Sequence, residues 1–499
     1  MSPVEIGVTV PIFVALGGVA VYFITKFLPA NLRRWSGAFA ALWLLVAFCL
    51  LLSLTLQGTG AGLSWRSSFI NMSLLGLTGG LLITGIGAVA ALASQGSLDP
   101  KGPIQLYYPL FLFALAGAVA IGFAVDLFTI FVMVELSAIP SYALVAYRHR
   151  EDPAALSAAI KYLIQGGVGT ITALLGVAIL YVEGHTLSLS GLSVALAGAN
   201  QLFVVFAAVL ILLGYGVKLA IVPLHTWLPD AYCRAPAGVT AIMAGATKIG
   251  VLIALFLSLS ALPGTDAVPK TLGIIITFFA VITMTAGNLL ALNQPNLRRV
   301  LAYSSIAQMG YILLGFGIGM LYNLPFGFTA ALFYAIAYGI MKGGAFIVAD
   351  VFANTAGSSE TAKMKGLGAE YPLLGVSFVL FIFGLIGVPI TCGFLGKLLI
   401  IQSGMATSVT GGVILALVLV LNSALSLGYY VPVLSTLLFR GKEAGHTNQA
   451  SAHKTIIPAS ALSAIAILAI VTLCLGIFPE PLFGWISQAS GQLFTWGVP

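Results

Sequence analysis

The chain has 499 residues, of which 60% are hydrophobic and only 7% charged, with a formal net charge of +7. A soluble globular domain carries roughly 25% charged residues, so the composition excludes one and points to a polytopic membrane protein. The positive balance is read as cytoplasmic loops rather than as a nucleic-acid surface.

Apolar runs of about 20 residues cross a hydrocarbon core of about 30 Å. Fourteen such segments are expected, at about 5–28, 37–57, 69–94, 105–125, 127–147, 155–182, 202–231, 236–262, 271–293, 298–320, 326–353, 372–404, 411–439 and 456–478. Short alternating strands are lacking, so each segment is expected to satisfy its own backbone as a helix. The first runs on to about Leu28 without a small-residue cleavage site and is kept as a span.

Loop charges test the count. Loops after odd-numbered segments hold Arg33, Arg34, Lys101, Arg148, Arg150, Arg234, Arg298, Arg299, Lys363, Lys365, Arg440, Lys442 and Lys454, whereas those after even-numbered ones hold Arg66 and Lys270. Basic loops mark the cytoplasmic side, so both termini are expected on the opposite side. A missed segment in mid-chain would scramble this alternation. The expectation is an integral, multi-pass protein of a prokaryotic cell membrane. Cys49, Cys233, Cys392 and Cys474 are scattered and support no disulfide framework, iron–sulfur cluster or zinc site. No metal or cofactor is expected.

The stretch 214–250, GYGVKLAIVPLHTWLPDAYCRAPAGVTAIMAGATKIG, organises the rest. Lys218 lies inside an apolar run that Pro223 then breaks; His225 and a second break at Pro229 follow, and Lys248 lies within the next run. VPLHTWL at 222–228 is echoed by VPITCGFL at 388–395, an offset of 166 residues that pairs Pro223 with Pro389. Both echoes fall in overlong segments, the seventh and the twelfth, which run in opposite directions. Interrupted helices at matching positions of inverted repeats mark transport sites. The predicted fold is therefore all-α, with two inverted five-helix repeats (segments 4–8 and 9–13) and breaks in segments 7 and 12. The corresponding units are 1–100, 101–265, 266–440 and 441–499.

With the loop charges set aside, Lys26 lies near a helix end and is expected to snorkel. Lys161 lies about one turn into segment 6. Glu135, Lys218, Lys248, Lys342 and Lys397 are deeper. Five charges at helix centres cost on the order of 12–18 kcal/mol facing lipid, so they must face one another, water or another subunit. Glu135 and Lys218 could form a static packing pair, but apolar replacements of such pairs are often neutral or stabilising. Four deep lysines also outnumber one deep carboxylate. Burial disfavours the charged form of an unpaired ammonium, so these groups suit a proton relay, with His225 as a shuttle between Lys218 and Lys248 or as a histidine satisfied by backbone that Pro223 frees.

Lys161 and Lys342 are further relay candidates. Asp126 and Asp350 read as helix-end residues, and Asp230 and Arg234 as a local pair. Asn288, Ser304, Ser305 and Gln308 would hold waters or bond across helices. Gly166, Gly167 and Gly169 lie in an apolar helix with no strand before them, which favours close helix packing over a phosphate cradle. No nucleophile–base or dinucleotide pattern is present.

Five stretches resemble the antiporter-like membrane subunits of respiratory complex I: VELSAIPSYALVAY (134–147), AAIKYLIQGG (158–167), VPLHTWLPDAYCRAPAGVTAIMAGATKIG (222–250), NLRRVLAYSSIAQMGYILLG (296–315) and GLIGVPITCGFLGKLLI (384–400). The resemblance spans roughly 100–405 in the family's order. It implies that Glu135 is the family's helix-5 glutamate, Lys218 its helix-7 lysine, Lys248 its helix-8 lysine and Lys397 its helix-12 residue, with Lys161 matching a helix-6 lysine. The N-type subunit is the most similar, since segment 12 carries lysine rather than glutamate; the short run after segment 14 gives no expectation of a long lateral helix. Cys233-Arg234 in the linker matches no single branch.

The resemblance implies a proton-translocating subunit of a complex I-like oxidoreductase of the NADH:quinone or F420H2/ferredoxin type. It would have no redox centre of its own, with other antiporter-like and small helical membrane subunits and the bilayer as partners. A subunit of a multisubunit Na+/H+ antiporter or a membrane-bound hydrogenase is the alternative, since HTWLPD with APAGVTA is shared across the superfamily. A scaffold without transport would have no use for the deep lysines.

Overall fold

This computed structural model describes residues 3–27, 29, 33–58, 65–66, 71–96, 98, 102–264, 267–439 and 457–493. The loop residues Lys101, Arg440, Lys442 and Lys454, and the predicted segment edges at 28, 69–70 and 456, lie outside them.

The helices are α1 (Pro3–Phe27), α2 (Ser36–Gly58), α3 (Leu74–Gln95), α4 (Ile104–Ile121), α5 (Leu127–Val145), α6 (Ala154–Gly184), α7 (Gln201–Leu219), α8 (Trp227–Arg234), α9 (Ala237–Ser260), α10 (Ala267–Leu292), α11 (Leu297–Leu321), α12 (Pro325–Ala356), α13 (Pro372–Ile386), α14 (Cys392–Ala406), α15 (Thr410–Leu438), α16 (Ala459–Ile477) and α17 (Glu480–Leu493). A two-residue antiparallel pairing, Trp65–Arg66 with Asn71–Met72, lies before α3. Among the described residues thirteen helices are long and apolar enough to cross a bilayer. The remaining expected segment, the twelfth (372–404), is divided into α13 and α14. The chain is thus a multi-pass integral membrane protein of the expected all-α class.

Three helices form the centre. The central stretches of α9 and α12 are wholly buried and that of α11 nearly so, whereas α6, α15 and α16 are largely exposed on their outer faces, where lipid or a neighbouring subunit would lie. Small residues permit the close central crossing. A Cβ on Gly245 would come within 2.6 Å of the Gly339 carbonyl, and one on Gly339 within 2.8 Å of the Gly245 carbonyl. That contact lies three residues before Lys248 on α9 and three before Lys342 on α12; because the two helices run in opposite directions, with Gly343 beside Ala241, the lysines lie on opposite sides of the crossing. The predicted glycine packing of α6 holds at Gly166, which abuts Tyr142, and at Gly169, which abuts Gly214 of α7; Gly167 faces open space.

Where caps form, they follow the sequence. Asp126 accepts from the Thr129 amide at 2.7 Å to start α5, and Asn296 accepts from Arg299 to start α11. The helix the sequence reading lacked is α17. Its mixed polarity hides it from a search for apolar runs, and it packs on α3 and α12 with Ile486 and Ala489 buried and Ser490 hydrogen-bonded to Thr329 at 2.6 Å.

Candidate functional site

Both overlong segments are broken where expected. α7 ends at Ala220, which is left-handed at φ 61°, and Val222–Pro223 is a cis bond. The chain then turns through 221–226 before α8. The indole of Trp227 donates to the carbonyl of Val217 at 2.7 Å and the amide of Val222 donates to Thr283 at 3.1 Å, so backbone groups released by the break find partners. The second break runs from Gly387 (φ 97°) to Thr391, with Ile390 at φ 77°, an unusual conformation for a β-branched residue. Thr391 caps α14 by accepting from the Phe394 amide. Pro223 and Pro389 both sit on exposed backbone.

At the first break, Lys218 is buried in the last turn of α7. Its Nζ lies 3.2 Å from Oε1 of Glu135 and donates to the hydroxyl of Tyr142 at 2.9 Å. Glu135 and Tyr142 are seven residues apart on α5 and present one face to the lysine. The Glu135 side chain is 24% exposed against 3% for Lys218, although its Oε1, facing the ammonium, is buried.

From Tyr142 a run of aromatic rings leads inward. Tyr142 meets Tyr162 edge-on at 4.5 Å, Tyr162 stacks on Trp227 at 3.9 Å, Trp227 meets Tyr232, and Tyr232 meets Phe346 at 5.4 Å. The ammonium of Lys248 lies 5.7 Å from the Tyr232 ring and that of Lys342 lies 5.9 Å from the Phe346 ring, both within cation–π range. A π-helical turn at Met243–Thr247 directly precedes Lys248; such turns often occur at functional positions. The Lys248 Nζ and the Tyr232 hydroxyl are buried without a hydrogen-bond partner among the described residues. Two unsatisfied polar atoms at this depth make a place for water.

Lys342, buried completely, donates to Ser304 of α11 and lies within electrostatic reach of both Lys248 and Lys397. One turn along α11, Gln308 accepts from Tyr334 and donates to the carbonyl of Leu385 at 3.2 Å. The ammonium of Lys397 donates to that same carbonyl at 2.8 Å, to the carbonyl of Ile386 at 2.9 Å and to Ser423 at 2.8 Å. These carbonyls end α13 and would be orphaned by the break. Lys397 also lies 4.6 Å from the ring of Tyr311, whose hydroxyl accepts from Asn288. Asn288 bonds in turn to Asn422 and Tyr429 of α15. Asn288, Ser304 and Gln308 therefore bond across helices, one of the two readings the sequence left open.

Lys218, Lys248, Lys342 and Lys397 are thus strung along one interior line, with Glu135 at its outer end. The structure brings neither His225 nor Lys161 into direct contact with it. His225 is half-buried in the first break with Nδ1 unpartnered, and among the described residues no hydrogen bond joins it to Lys218 or Lys248. Lys161 pairs with Asp230 at 2.6 Å and is half exposed. It lines a polar cavity of about 330 Å³ with Asp230, Cys233, Arg234, Asn296 and Arg299, on the side of the basic loops. The local Asp230–Arg234 pair does not form, although the two stand one turn apart on α8; each finds a partner on another element. Asp230 pairs with Lys161 and Arg299, and Arg234 with Asp152 at 2.8 Å. Asp350 lies near the end of α12, as expected, but it is buried and paired with Arg298, which also donates to the Cys233 carbonyl. Lys26 behaves as expected, exposed near the end of α1 over the ring of Tyr22.

Sequence reasoning missed Tyr142, Tyr232, Tyr311 and Ser423. Each looks like ordinary core or packing material until an ammonium is found against it. The one signal was arithmetic, since lysines without carboxylates need other partners.

Residues 124–425 match the family model for the transmembrane region of NADH:quinone oxidoreductase and Mrp antiporter proteins. The chain is 30% identical over 480 residues to F420H2 dehydrogenase subunit N of Methanosarcina mazei, covering 93% of this chain and 94% of that one. It is 32% identical to NADH-quinone oxidoreductase subunit N of Anoxybacillus flavithermus, covering 97% and 96%. A subunit of the membrane-bound sulfane sulfur reductase, an archaeal respiratory membrane complex, superposes with a TM-score of 0.87 at 25% identity, over 99% of this chain and 98% of that one. The broken helices and buried lysines thus stand in a protein that belongs to the NADH:quinone oxidoreductase/Mrp antiporter transmembrane family.

Proposed function

We propose that the chain is the proton-translocating membrane subunit of a redox-driven, complex I-like oxidoreductase. In this reading it works beside other membrane subunits in a prokaryotic cell membrane with both termini opposite the cytoplasm. The units 101–265 and 266–440 act as inverted halves, each contributing one broken helix. The observation that carries the reading is the interior line of four lysines with a single carboxylate at one end. One of those lysines, Lys248, has no hydrogen-bond partner among the described residues.

The chemistry follows from the contacts. While Glu135 is ionised beside Lys218, the ammonium is held. Drawing the carboxylate away removes its counter-charge, and a buried ammonium without one releases its proton readily. One pKa unit is worth about 1.4 kcal/mol, so a pair worth a few kcal/mol can switch proton occupancy decisively. Water in the first break, with His225 at its edge, carries the proton to Lys248. From there it reaches Lys342 and, by way of Ser304, Gln308 and bridging water, Lys397. The polar cavity at Lys161 and Asp230 supplies water from the basic-loop side. The polypeptide makes and breaks only bonds to protons; electron transfer belongs to partner subunits.

Proton uptake into inverted membrane vesicles, driven by the electron donor of the native complex, tests this. Lys248→Met is expected to assemble and to abolish pumping. An assembled Lys248→Met complex that pumps at the wild-type rate would overturn the reading. A Na+-translocating alternative would need oxygen ligands at a break, but the carbonyls of Leu385 and Ile386 and the Ser423 hydroxyl are already engaged by the Lys397 ammonium. Turnover independent of Na+ is therefore expected.

A further inference from the structure

Between Lys342 and Lys397 the line needs a group that can pass a proton on. Gln308 stands there, but an amide donates through its nitrogen and accepts through its oxygen, so it carries no proton across without becoming an imidic acid. Ser304, to which Lys342 donates, gives its own proton to the Leu301 carbonyl at 2.9 Å and keeps one lone pair open.

The missing hydroxyl comes from α15. Tyr430 is completely buried, and its hydroxyl stands beside the Ser304 and Gln308 side chains of α11, within electrostatic reach of Tyr338 on α12. Neither the Tyr430 nor the Tyr338 hydroxyl closes a hydrogen bond among the described residues. Two unsatisfied phenols at this depth call for water. Ser423, Ser426 and Tyr430 stand at i, i+3 and i+7, on one face of α15. Ser423 accepts from the Lys397 ammonium at 2.8 Å, so this stripe has Lys397 at one end and, across Tyr430, the Ser304 partner of Lys342 at the other. Buried Ser426 divides the run into two steps of about 5 Å along the helix, each the span of a bridging water.

We propose that Tyr430 is the conducting hydroxyl between Lys342 and Lys397, and that the Ser423–Ser426–Tyr430 stripe of α15 is the route. This rests on the proton-relay reading and names the groups that carry its last leg. Lys342 gives a proton to the Ser304 oxygen while Ser304 turns its own from Leu301 to the Tyr430 oxygen. Tyr430 releases its phenolic proton to water at Ser426, and that water chain protonates a Lys397 amine that has already discharged. Lys342 ends as the amine and Lys397 as the ammonium, with every hydroxyl and water neutral again. Gln308 takes no proton and is a positioning residue beside the route.

Proton uptake and its H2O/D2O rate ratio, measured on inverted vesicles carrying the assembled native complex, test this. Tyr430→Phe keeps the ring that meets Tyr429 at 4.4 Å and removes only the hydroxyl. Pumping is expected to fall about tenfold, and the isotope ratio to rise because proton transfer becomes the slow step. Tyr108→Phe is the control; it deletes a buried hydroxyl of α4 packed against Gly37 of α2, and pumping and ratio are expected to stay at wild type. Wild-type pumping and ratio in assembled Tyr430→Phe overturn the proposal, and so does an equal loss in both variants, which marks a packing effect. If Tyr430→Phe does not assemble, Ser426→Ala is read by the same two measures and decides. Pumping lost in Lys248→Met but kept in Tyr430→Phe removes the α15 route and leaves the relay, whereas pumping kept in both removes the relay itself.

Discussion

At the first break the buried ammonium belongs to the helix half that precedes the interruption, and its counter-charge comes from another helix, α5. At the second, Lys397 belongs to the half that follows, and it reaches back to the carbonyls that end the preceding half, Leu385 and Ile386, with Ser423 as a third acceptor. The two breaks look alike in sequence, yet one ammonium is neutralised by a charge and the other is solvated by dipoles. A charge pair is a switch, because moving one partner leaves the other buried and uncompensated. A carbonyl cage is a resting place, because dipoles that hold the ammonium leave no stranded ion when its proton departs. In the proposed relay, the difference places the triggering step at the Glu135 end and the terminal step at the Lys397 end.

That contrast can be broken by mutation, and the largest effect is expected at the first break. Lys218→Met should abolish pumping and destabilise the assembled protein by about 3 kcal/mol, the usual cost of stranding one member of a buried pair. Adding Glu135→Gln should recover most of the stability but none of the pumping, as read by thermal melting and vesicle acidification. Absence of that recovery would show that the pair does not act as a unit. Lys397→Met should reduce pumping at least about tenfold, a barrier change of about 1.4 kcal/mol or more, and cost about 1 kcal/mol of stability, since Gln308 and Ser423 still donate to the Leu385 and Ile386 carbonyls. Here Glu135→Gln should give no rescue, and the two effects should simply add.

Smaller effects sharpen the picture between the breaks. Gln308→Leu removes the link between Tyr334 and the Leu385 carbonyl; it should slow pumping several-fold and cost about 1 kcal/mol. Lys161→Met should matter least. Its pair with Asp230 is half exposed, and such pairs are worth about 0–1 kcal/mol, so pumping near the wild-type rate is expected. A loss as large as that of Lys218→Met would move Lys161 onto the main line.

Much of this was legible from the amino-acid order. Hydropathy alone yields the spans, because lipid leaves the backbone no alternative to the helix. Pro223 and Pro389 mark the breaks through the hydrogen bonds they cannot make, and the cost of burying charge singles out Glu135, Lys218, Lys248, Lys342 and Lys397 before any fold is known. The amphipathic α17 was hidden because its pattern lacks the apolar length that betrays a span.

Partner choice belonged to the tertiary structure. Nothing in the order of residues says that Tyr142 rather than another tyrosine takes the Lys218 proton donor, that Asp230 turns to Lys161 and Arg299 instead of Arg234, or that Asp350 is buried against Arg298. Those outcomes depend on helices distant in sequence meeting at glycine contacts such as Gly245 with Gly339. Composition fixes which groups must escape lipid; only the packing of helices decides which neighbours they escape to.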